Sequence, residues 1–395
     1  MKTVPYWRLS GFYLVYFGSL GAFMPYWSLY LHNLGFNAQT IGTLMATTMV
    51  TKLIAPNVWG WLADHTGNRV RLIRFSSFLA WFCFLGVFFG HSFLWLAVVM
   101  SAFSFFWNAA LPQIEATTLT HLGEYSHRYS HIRLWGSIGF IIVGVSLGWI
   151  FQSYGVSSLP VILAGLFAGI WVMSLFVPEQ VIDHSSVPSE PLYRIIRQPT
   201  VIALFFVCLL MQASHGPYYT FYSIYLENHG YSHKMIGQLW ALGVISEVCA
   251  FLIMHRLLMH FSLRSLLITS LILTSIRWLL IGFYVEWLSA LLVGQLLHAV
   301  SYGVYHSVTI QFIHRFFVGR LQGRGQALYS SLSFGGGGAL GSLLSGYTWE
   351  NLGPQVSYSL SIGICLFALS ISWLWIRSPK DFRSRIRYVS GIHKR

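Results

Sequence analysis

Long apolar runs recur along the whole sequence, and they constrain its fold more than any other feature. Hydrophobic residues make up 55% of the 395 residues and charged residues only 9%, against about 25% charged residues in a soluble domain. An apolar run of about 20 residues can cross the hydrocarbon core of a bilayer as a helix. The sequence therefore predicts an all-α membrane protein with twelve transmembrane helices. The predicted spans are 9–31, 40–62, 72–90, 93–119, 133–153, 158–177, 200–226, 236–255, 264–283, 287–313, 325–347 and 355–376.

The basic residues are distributed unevenly between the loops. Of the 24 Lys and Arg residues, 21 fall in segments on one predicted side of the membrane, seven of them from Arg377 onward. Lys234 falls in a loop on the other side, and Lys52 and Arg277 fall within spans. Because basic loops stay in the cytoplasm, we expect both termini in the cytoplasm of a bacterial inner membrane. The net charge of +13 then reflects topology, and we expect the basic tail to face anionic lipid and no nucleic acid to bind.

A segment of the first half returns without a gap 195 residues later. Residues 28–46 read SLYLHNLGFNAQTIGTLMA, residues 223–241 read SIYLENHGYSHKMIGQLWA, and nine of the 19 positions are identical. A membrane protein built from two related halves is typical of a secondary transporter with its substrate site between them. The predicted division is an N-terminal six-helix bundle (1–178), a cytoplasmic linker (179–199), a C-terminal six-helix bundle (200–376) and a basic tail (377–395).

The turn after the second span reads GWLADHTGNRVR from residue 60. Its spacing is similar to the signature of the major facilitator superfamily between spans two and three, and the resemblance implies that fold. We expect Gly60 to permit a close helix approach and Gly67 to form a tight turn. Asp64 would accept hydrogen bonds across the bundle interface, as part of a conformational latch with Arg69 and Arg71. The alternative is an ordinary basic turn.

Ionisable side chains within the spans are candidate functional groups because their burial in hydrocarbon is unfavourable unless they are paired or hydrated. Lys52 and Glu247 are separated by 195 residues, so they occupy the same position in the two halves. At about 1.5 Å per residue, each lies roughly 16–18 Å into its helix, near the bilayer midplane. Arg277 and His298 lie at similar depth. We expect Glu247 and Arg277 to form a functional pair, with snorkelling to the interface as the alternative.

Spans four and five carry a second resemblance. Glu115 follows Pro112 in span four, and 18 residues later Arg133 begins the pattern Arg-x-x-Gly-x-x-Gly-aromatic, which ends at Phe140. This pattern is similar to the lactose permease family, which implies that Glu115 and Arg133 bind substrate and that Phe140 stacks on it. The alternative is a structural ion pair between the two helix ends. His298 in span ten falls where that family has a histidine in proton and substrate coupling.

The sequence departs from the lactose permease family at Ser301, where that family has a proton-carrying glutamate. The protonated carboxyl must then lie elsewhere, and Glu247 is the candidate. A closer resemblance, to the bacterial 3-phenylpropionate permease family, covers nearly the whole chain and implies a proton symporter. It rests on RLWGS from residue 133, HGPYY from 215, LWALGV from 239, EV from 247, IRW from 276, QLLH from 295, His306 and QALYS from 326.

Aromatic and histidine side chains in the second half are further candidates for the substrate site. His215, Tyr218, Tyr302 and His306 would supply hydrogen bonds and ring stacking to a planar ligand, although packing between helices explains them equally well. The glycine run 335–338 lacks the Gly-Lys-Ser/Thr of a phosphate loop, so we expect close helix packing or bending there.

These features together predict a proton-driven symporter that imports a small organic solute such as an aromatic carboxylate. Lys52 or Arg277 would face the substrate carboxylate, Glu247 would carry the proton, and His298 would couple the two. A sugar or nucleoside symporter, or a small-drug exporter, on the same fold is the alternative.

Other classes of function find little support in the sequence. We expect no enzyme, because no His/Asp or Cys/His constellation lies beside a loop. His121, His127 and His131 share one loop, but no Cys or Glu pattern supports a metal site. The expected partners are a small solute, protons and the lipid bilayer, and the chain is expected to act as a monomer without a cofactor.

Overall fold

Helices form nearly all of the described structure, a computed structural model that covers residues 4–179, 192–318 and 321–376. The predicted all-α membrane fold is confirmed: in the described part of the chain, nine helices are long and apolar enough to cross a membrane. Every predicted span coincides with helical residues. The helical runs 6–33, 38–66 and 321–352 are not among those nine, so the count of twelve transmembrane helices stays a prediction.

The first half of the chain forms six helices whose ends are set by local capping. Asn37 Oδ1 accepts the amide of Thr40 at 2.9 Å and begins the second helix. Gly67, with φ 67°, ends it in the left-handed conformation that favours glycine, which confirms the predicted tight turn. The helices are α1 (Tyr6–Asn33), α2 (Ala38–Thr66), α3 (Arg69–Phe84), α4 (Phe93–Leu122), α5 (Tyr129–Tyr154) and α6 (Leu159–Phe176).

The second half has the same plan with three interrupted spans. One span breaks at His215, just before Pro217, which has no amide N–H to donate. The other two contain π-helix, at Ala299–Val304 and at Ser331–Gly337, and such segments are frequent at functional sites. The helices are α7 (Leu192–Ile196), α8 (Pro199–Ser214), α9 (Gly216–Asn228), α10 (His233–His260), α11 (Leu263–Phe283), α12 (Leu288–Leu296), α13 (Tyr305–Phe316), α14 (Leu321–Ser330), α15 (Gly338–Leu352) and α16 (Pro354–Trp375).

Some sequence predictions fall outside the described residues. These are Lys2, linker residues 180–191, Arg320 and the basic tail 377–395. Within the linker, the short helix α7 precedes α8, which begins at Pro199. The domain boundaries and the cytoplasmic location of the termini stay predictions.

The two halves meet along α2 with α15 and α5 with α10. A Cβ atom at Gly42 would lie 2.6 Å from the Ser342 carbonyl oxygen, and one at Gly237 would lie 2.6 Å from that of Gly144. Gly42 and Gly237 are equivalent in the repeat, so the same glycine permits close backbone approach in both seams. Both seams lie at the end that carries turns 33–38 and 228–233, which we call the closed end. The opposite end, with turns 66–69 and 260–263, is the basic end.

The turn that resembles the superfamily signature is only partly as expected. The close approach predicted at Gly60 is wrong, because a Cβ there would meet nothing within 4 Å. Asp64 does not reach across the bundle interface: its Oδ1 accepts from Arg69 Nη2 of the same turn at 3.1 Å, and its side chain is 63% exposed. Arg71 is exposed. A latch role for these residues therefore requires a rearrangement of the turn.

The glycine run of the second half packs as predicted. A Cβ at Gly335 would lie 2.7 Å from the Leu53 backbone nitrogen of α2, and one at Gly337 would collide with the Leu209 carbonyl of α8. Glycines here let the π-helical segment approach both bundles. The run therefore lies at the centre of the molecule, beside the site described next.

Candidate functional site

A cavity of about 200 Å³ lies between the two bundles. Ligand pockets usually have about 300–1,000 Å³, so this cavity suits a small solute. The structure brings seven of the predicted site residues to its wall. They are Lys52, Arg133, Phe140, Tyr218, Glu247, His298 and Tyr302.

The first bundle contributes the positive wall of the cavity. Lys52 comes from α2 and Arg133 from α5. The Arg133 guanidinium lies 3.7 Å from the centroid of the Phe17 ring, an arrangement that holds a cation without neutralising it. Among the described residues, no carboxylate oxygen lies within 4.0 Å of the charged group of either residue. Two positively charged side chains without an ion-pair partner among the described residues therefore face the cavity.

The second bundle contributes the proton-binding and aromatic wall. Glu247 Oε2 of α10 lies 3.6 Å from His298 Nε2, slightly beyond hydrogen-bond distance. The Tyr218 hydroxyl donates to Gln295 Oε1 at 3.0 Å, and its ring lies 4.7 Å from that of Trp240. Lys52 and Glu247, equivalent in the repeat, thus lie on opposite sides of one cavity.

Two predicted ion pairs are not formed in this structure. Arg277 is fully buried and does not pair with Glu247: its Nε donates to the Gly294 carbonyl at 2.9 Å and its Nη1 to Ser301 Oγ at 3.0 Å. Arg277 therefore lies in the interior of the second bundle, behind Tyr218, whose ring centroid is 4.2 Å from its guanidinium.

The structural ion pair that is the alternative interpretation of Glu115 and Arg133 is not formed in this conformation either. No ion pair within 4.0 Å joins them in the described part of the chain, and Glu115 does not line the cavity. Glu115 lies near the basic end of α4, one helical turn after Pro112. The arginine faces the cavity instead and packs on Phe17.

Two predicted histidines also lie away from the cavity wall. His215 is buried, with its Nδ1 2.8 Å from the Met211 carbonyl at the end of α8. His306 Nδ1 lies 2.9 Å from the Tyr329 hydroxyl, on the side of the cavity nearer the basic end. Neither residue lines the cavity.

Several lining residues were not among the predicted site residues. Phe17, Trp240 and Phe334 add aromatic surface, and Gln212 adds an amide. Trp240 could have been predicted from the sequence, because it lies in LWALGV, one of the motifs by which the chain resembles the 3-phenylpropionate permease family. Phe17 and Phe334 could not be singled out from the sequence. The chain contains 30 phenylalanines, and no motif distinguishes these two from the others in apolar spans.

Comparison with known proteins now decides the family. The model of the MFS_1 like family matches residues 6–360. The chain belongs to this family. It is also 28% identical over 369 residues to the probable 3-phenylpropionic acid transporter of Escherichia coli strain K12, which covers 90% of this chain and 94% of that protein.

A second relative and a solved structure are also transporters. The putative nucleoside transporter YegT of Escherichia coli strain K12 is 24% identical, over 89% of this chain and 86% of that protein. A crystal structure of the nucleoside transporter NupG aligns with a TM-score of 0.82 at 15% identity, covering 94% of this chain and all of that one. This MFS_1 like protein is thus a multi-pass membrane transporter with the major facilitator fold, and its relatives indicate a carrier and no enzyme.

Proposed function

We propose that this protein is a proton-coupled symporter that imports a small aromatic carboxylate. The observation that carries the proposal is the division of charge across the cavity. Lys52 and Arg133, which have no ion-pair partner among the described residues, belong to the first bundle, while Glu247 and His298 face them from the second. A substrate with a negative end and an apolar body fits between these walls.

The substrate carboxylate would bind to Lys52 and Arg133. Carboxylates form strong charge-assisted hydrogen bonds with such groups, especially with the guanidinium fork of arginine. The aromatic ring would lie against Phe140, Tyr218 and Trp240, which line the same cavity. The likeness to a probable 3-phenylpropionic acid transporter supports this class of substrate.

Glu247 would carry the proton. Its carboxylate lies next to His298 and opposite Lys52 and Arg133, so loading one proton and one substrate carboxylate together leaves the net charge of the cavity unchanged. A closed cavity with one unbalanced charge is unfavourable. The empty and the fully loaded carrier would therefore change conformation, and the half-loaded carrier would not.

Glu247→Gln tests the proposal in proteoliposomes with 3-phenylpropionate as the solute. The amide cannot release a proton, so we expect uptake driven by a proton gradient to be lost while exchange of labelled for unlabelled solute persists. Glu286→Gln, which alters an exposed carboxylate outside the cavity, is the matched control and should behave as the wild type. Proton-driven uptake by Glu247→Gln would contradict the assignment.

A nucleoside is the second candidate substrate, since the YegT likeness extends over most of the chain. A neutral nucleoside would stack on the same rings but would leave Lys52 and Arg133 without a counter-charge. A thermal-shift screen with 3-phenylpropionate, uridine and lactose separates these classes. We expect 3-phenylpropionate to raise the thermal unfolding midpoint of the wild type but not that of Lys52→Gln. If uridine alone raises the midpoint, the substrate is a nucleoside and the proposed carboxylate is wrong.

A further inference from the structure

Three rings of the second bundle form a stacked ladder that runs away from the cavity. His298, Tyr302 and His306 follow one another at four-residue spacing. The His298 and Tyr302 rings are 5.6 Å apart with 12° between their planes, and the Tyr302 and His306 rings are 5.7 Å apart with 4° between them. The ladder passes through the π-helical segment Ala299–Val304.

Each end of the ladder meets a further group that can exchange a proton. At the cavity, His298 Nε2 lies 3.6 Å from Glu247 Oε2. At the other end, His306 Nδ1 lies 2.9 Å from the Tyr329 hydroxyl of α14. Because α13 runs on to the basic end, the ladder leads from the proposed proton carrier toward that end. His314 lies two turns further along, 2.7 Å from Gln326.

The ladder begins at the cavity wall with His298 and Tyr302 and leaves the cavity at His306. Phe334 packs on Tyr302, His306 and Tyr329 at ring distances of 6.2, 6.2 and 5.6 Å. The charged group that faces His306 from the first bundle is Arg133. Tyr302 lines the cavity, whereas His306 and Tyr329 do not.

Packing alone does not require polar groups at these positions. The residues 195 positions earlier are Phe103, Trp107, Leu111 and Leu134, and all four are apolar. Phe103 and Trp107 adopt a comparable arrangement, with ring centroids 6.1 Å apart. At the first two positions, Phe103 and Trp107, the first bundle therefore builds the same part of its core without any group that binds a proton, whereas Leu134 is 43% exposed.

We propose that His298, Tyr302, His306 and Tyr329 conduct protons between Glu247 and the basic end, by a route that leaves the substrate cavity beyond Tyr302. The inference rests on the proposed function, in which Glu247 carries the coupled proton. The carboxyl proton passes to His298, which leaves a carboxylate and an imidazolium. The imidazolium returns to its neutral form as the proton moves along the ladder through water between the rings, and one proton emerges near Tyr329.

The test follows the protonation of Glu247 without any substrate. After a rapid drop in pH, the carbonyl stretch of the protonated Glu247 carboxyl is recorded by infrared spectroscopy in reconstituted protein, and it is identified by its loss in Glu247→Gln. We expect His306→Gln and Tyr329→Phe to slow its appearance about 100-fold or more, the lower end of the typical contribution of a positioned acid–base side chain. Thr309→Val is the matched control, because Thr309 is buried in the same helix and its hydroxyl donates to the Tyr305 carbonyl at 3.0 Å and to no group of the ladder, and its rate should equal that of the wild type.

The outcomes separate the two proposals. A Glu247 band whose rate is unchanged in His306→Gln and Tyr329→Phe overturns the ladder and leaves Glu247 as the proton carrier. A slowed rate in Thr309→Val as well also overturns the ladder, since it would reflect general disturbance of the helix. If the wild type shows no carboxyl band that is lost in Glu247→Gln, then Glu247 is not the proton carrier. The proposed function is then wrong on this point, and the ladder proposal is wrong as well.

Discussion

The cores of the two bundles share one arrangement and differ in chemistry. In the first bundle, the Phe23 and Trp27 rings lie 5.4 Å apart. At the equivalent positions of the second bundle, Tyr218 and Tyr222 lie 4.9 Å apart. His298 likewise replaces a phenylalanine, Phe103. The 195-residue repeat therefore preserves the packing and changes the polarity of one half.

The difference teaches where function lies in this protein. The apolar rings show that helix packing at these positions needs no hydroxyl or imidazole, and a buried polar group without a partner is unfavourable. In the first core, the buried nitrogen atoms that lack a partner among the described residues belong to tryptophan indoles, those of Trp27, Trp59 and Trp107. In the second core, such atoms belong to imidazole, guanidinium and amide groups. They are His215 Nε2, Arg277 Nη2, Gln295 Nε2 and His298 Nδ1. A core with such groups is expected where protons or substrates bind.

The largest expected effect comes from making the second core resemble the first. His298→Phe introduces the residue found at the equivalent position 103, so the side chain fits the arrangement and the protein should fold. It removes the imidazole next to Glu247. We expect proton-driven uptake of 3-phenylpropionate to fall about 100-fold, a typical contribution of a positioned acid–base group. The measurement is initial uptake in proteoliposomes with an imposed pH gradient.

The control for this prediction is His260→Phe, which changes an exposed histidine at the basic end of α10 and should leave uptake unchanged. The thermal unfolding midpoint of His298→Phe should stay near that of the wild type. Full uptake by His298→Phe would show that the polar character of the second core is incidental to transport.

The reverse substitution tests the first core. Phe103→His places an imidazole among Phe23, Phe84 and Trp107, whose rings surround Phe103. Phe23 and Phe84 offer no polar partner and the Trp107 indole N–H can only donate, so the imidazole N–H would lack an acceptor among these rings. We therefore expect a loss of about 2 kcal/mol or more in the free energy of unfolding. The measurement is the thermal unfolding midpoint in detergent. Phe103→Leu is the control for lost ring volume, and equal stability of the two variants would contradict a purely apolar role for this core.

Sequence reasoning reached the fold and much of the cavity because both depend on patterns along the chain. Apolar runs predicted the helices, and the repeat placed Lys52 and Glu247 at the same depth in two related halves. Both line the cavity. The depth of a residue in its span follows from counting, since the rise of a helix per residue is constant.

The pairing of side chains could not be predicted in the same way. Depth along a helix does not fix the direction in which a side chain points, and this direction separates Arg277, which faces the interior, from Arg133, which faces the cavity. Gly60 shows the same limit, because a glycine in a familiar motif need not contact anything. α2 packs against α15, which lies more than 270 residues away in the chain, and no pattern along the sequence indicates which side chains meet there.

The smallest expected effect concerns the glycines that both halves share. A Cβ at Gly42 or Gly237 would lie 2.6 Å from a carbonyl oxygen of the opposite bundle, so one seam must shift in each variant. We expect Gly42→Ala and Gly237→Ala to lower the free energy of unfolding by about 1–2 kcal/mol each, as for other overpacked contacts. The measurement is again the thermal unfolding midpoint. Gly60→Ala is the control, since its Cβ meets nothing within 4 Å and alanine favours the helix over glycine. Unequal losses at Gly42 and Gly237 would show that the two seams of the closed end differ in stability, as the two cores differ in polarity. The repeat would then preserve the glycines of the seams but not the free energy that each contributes.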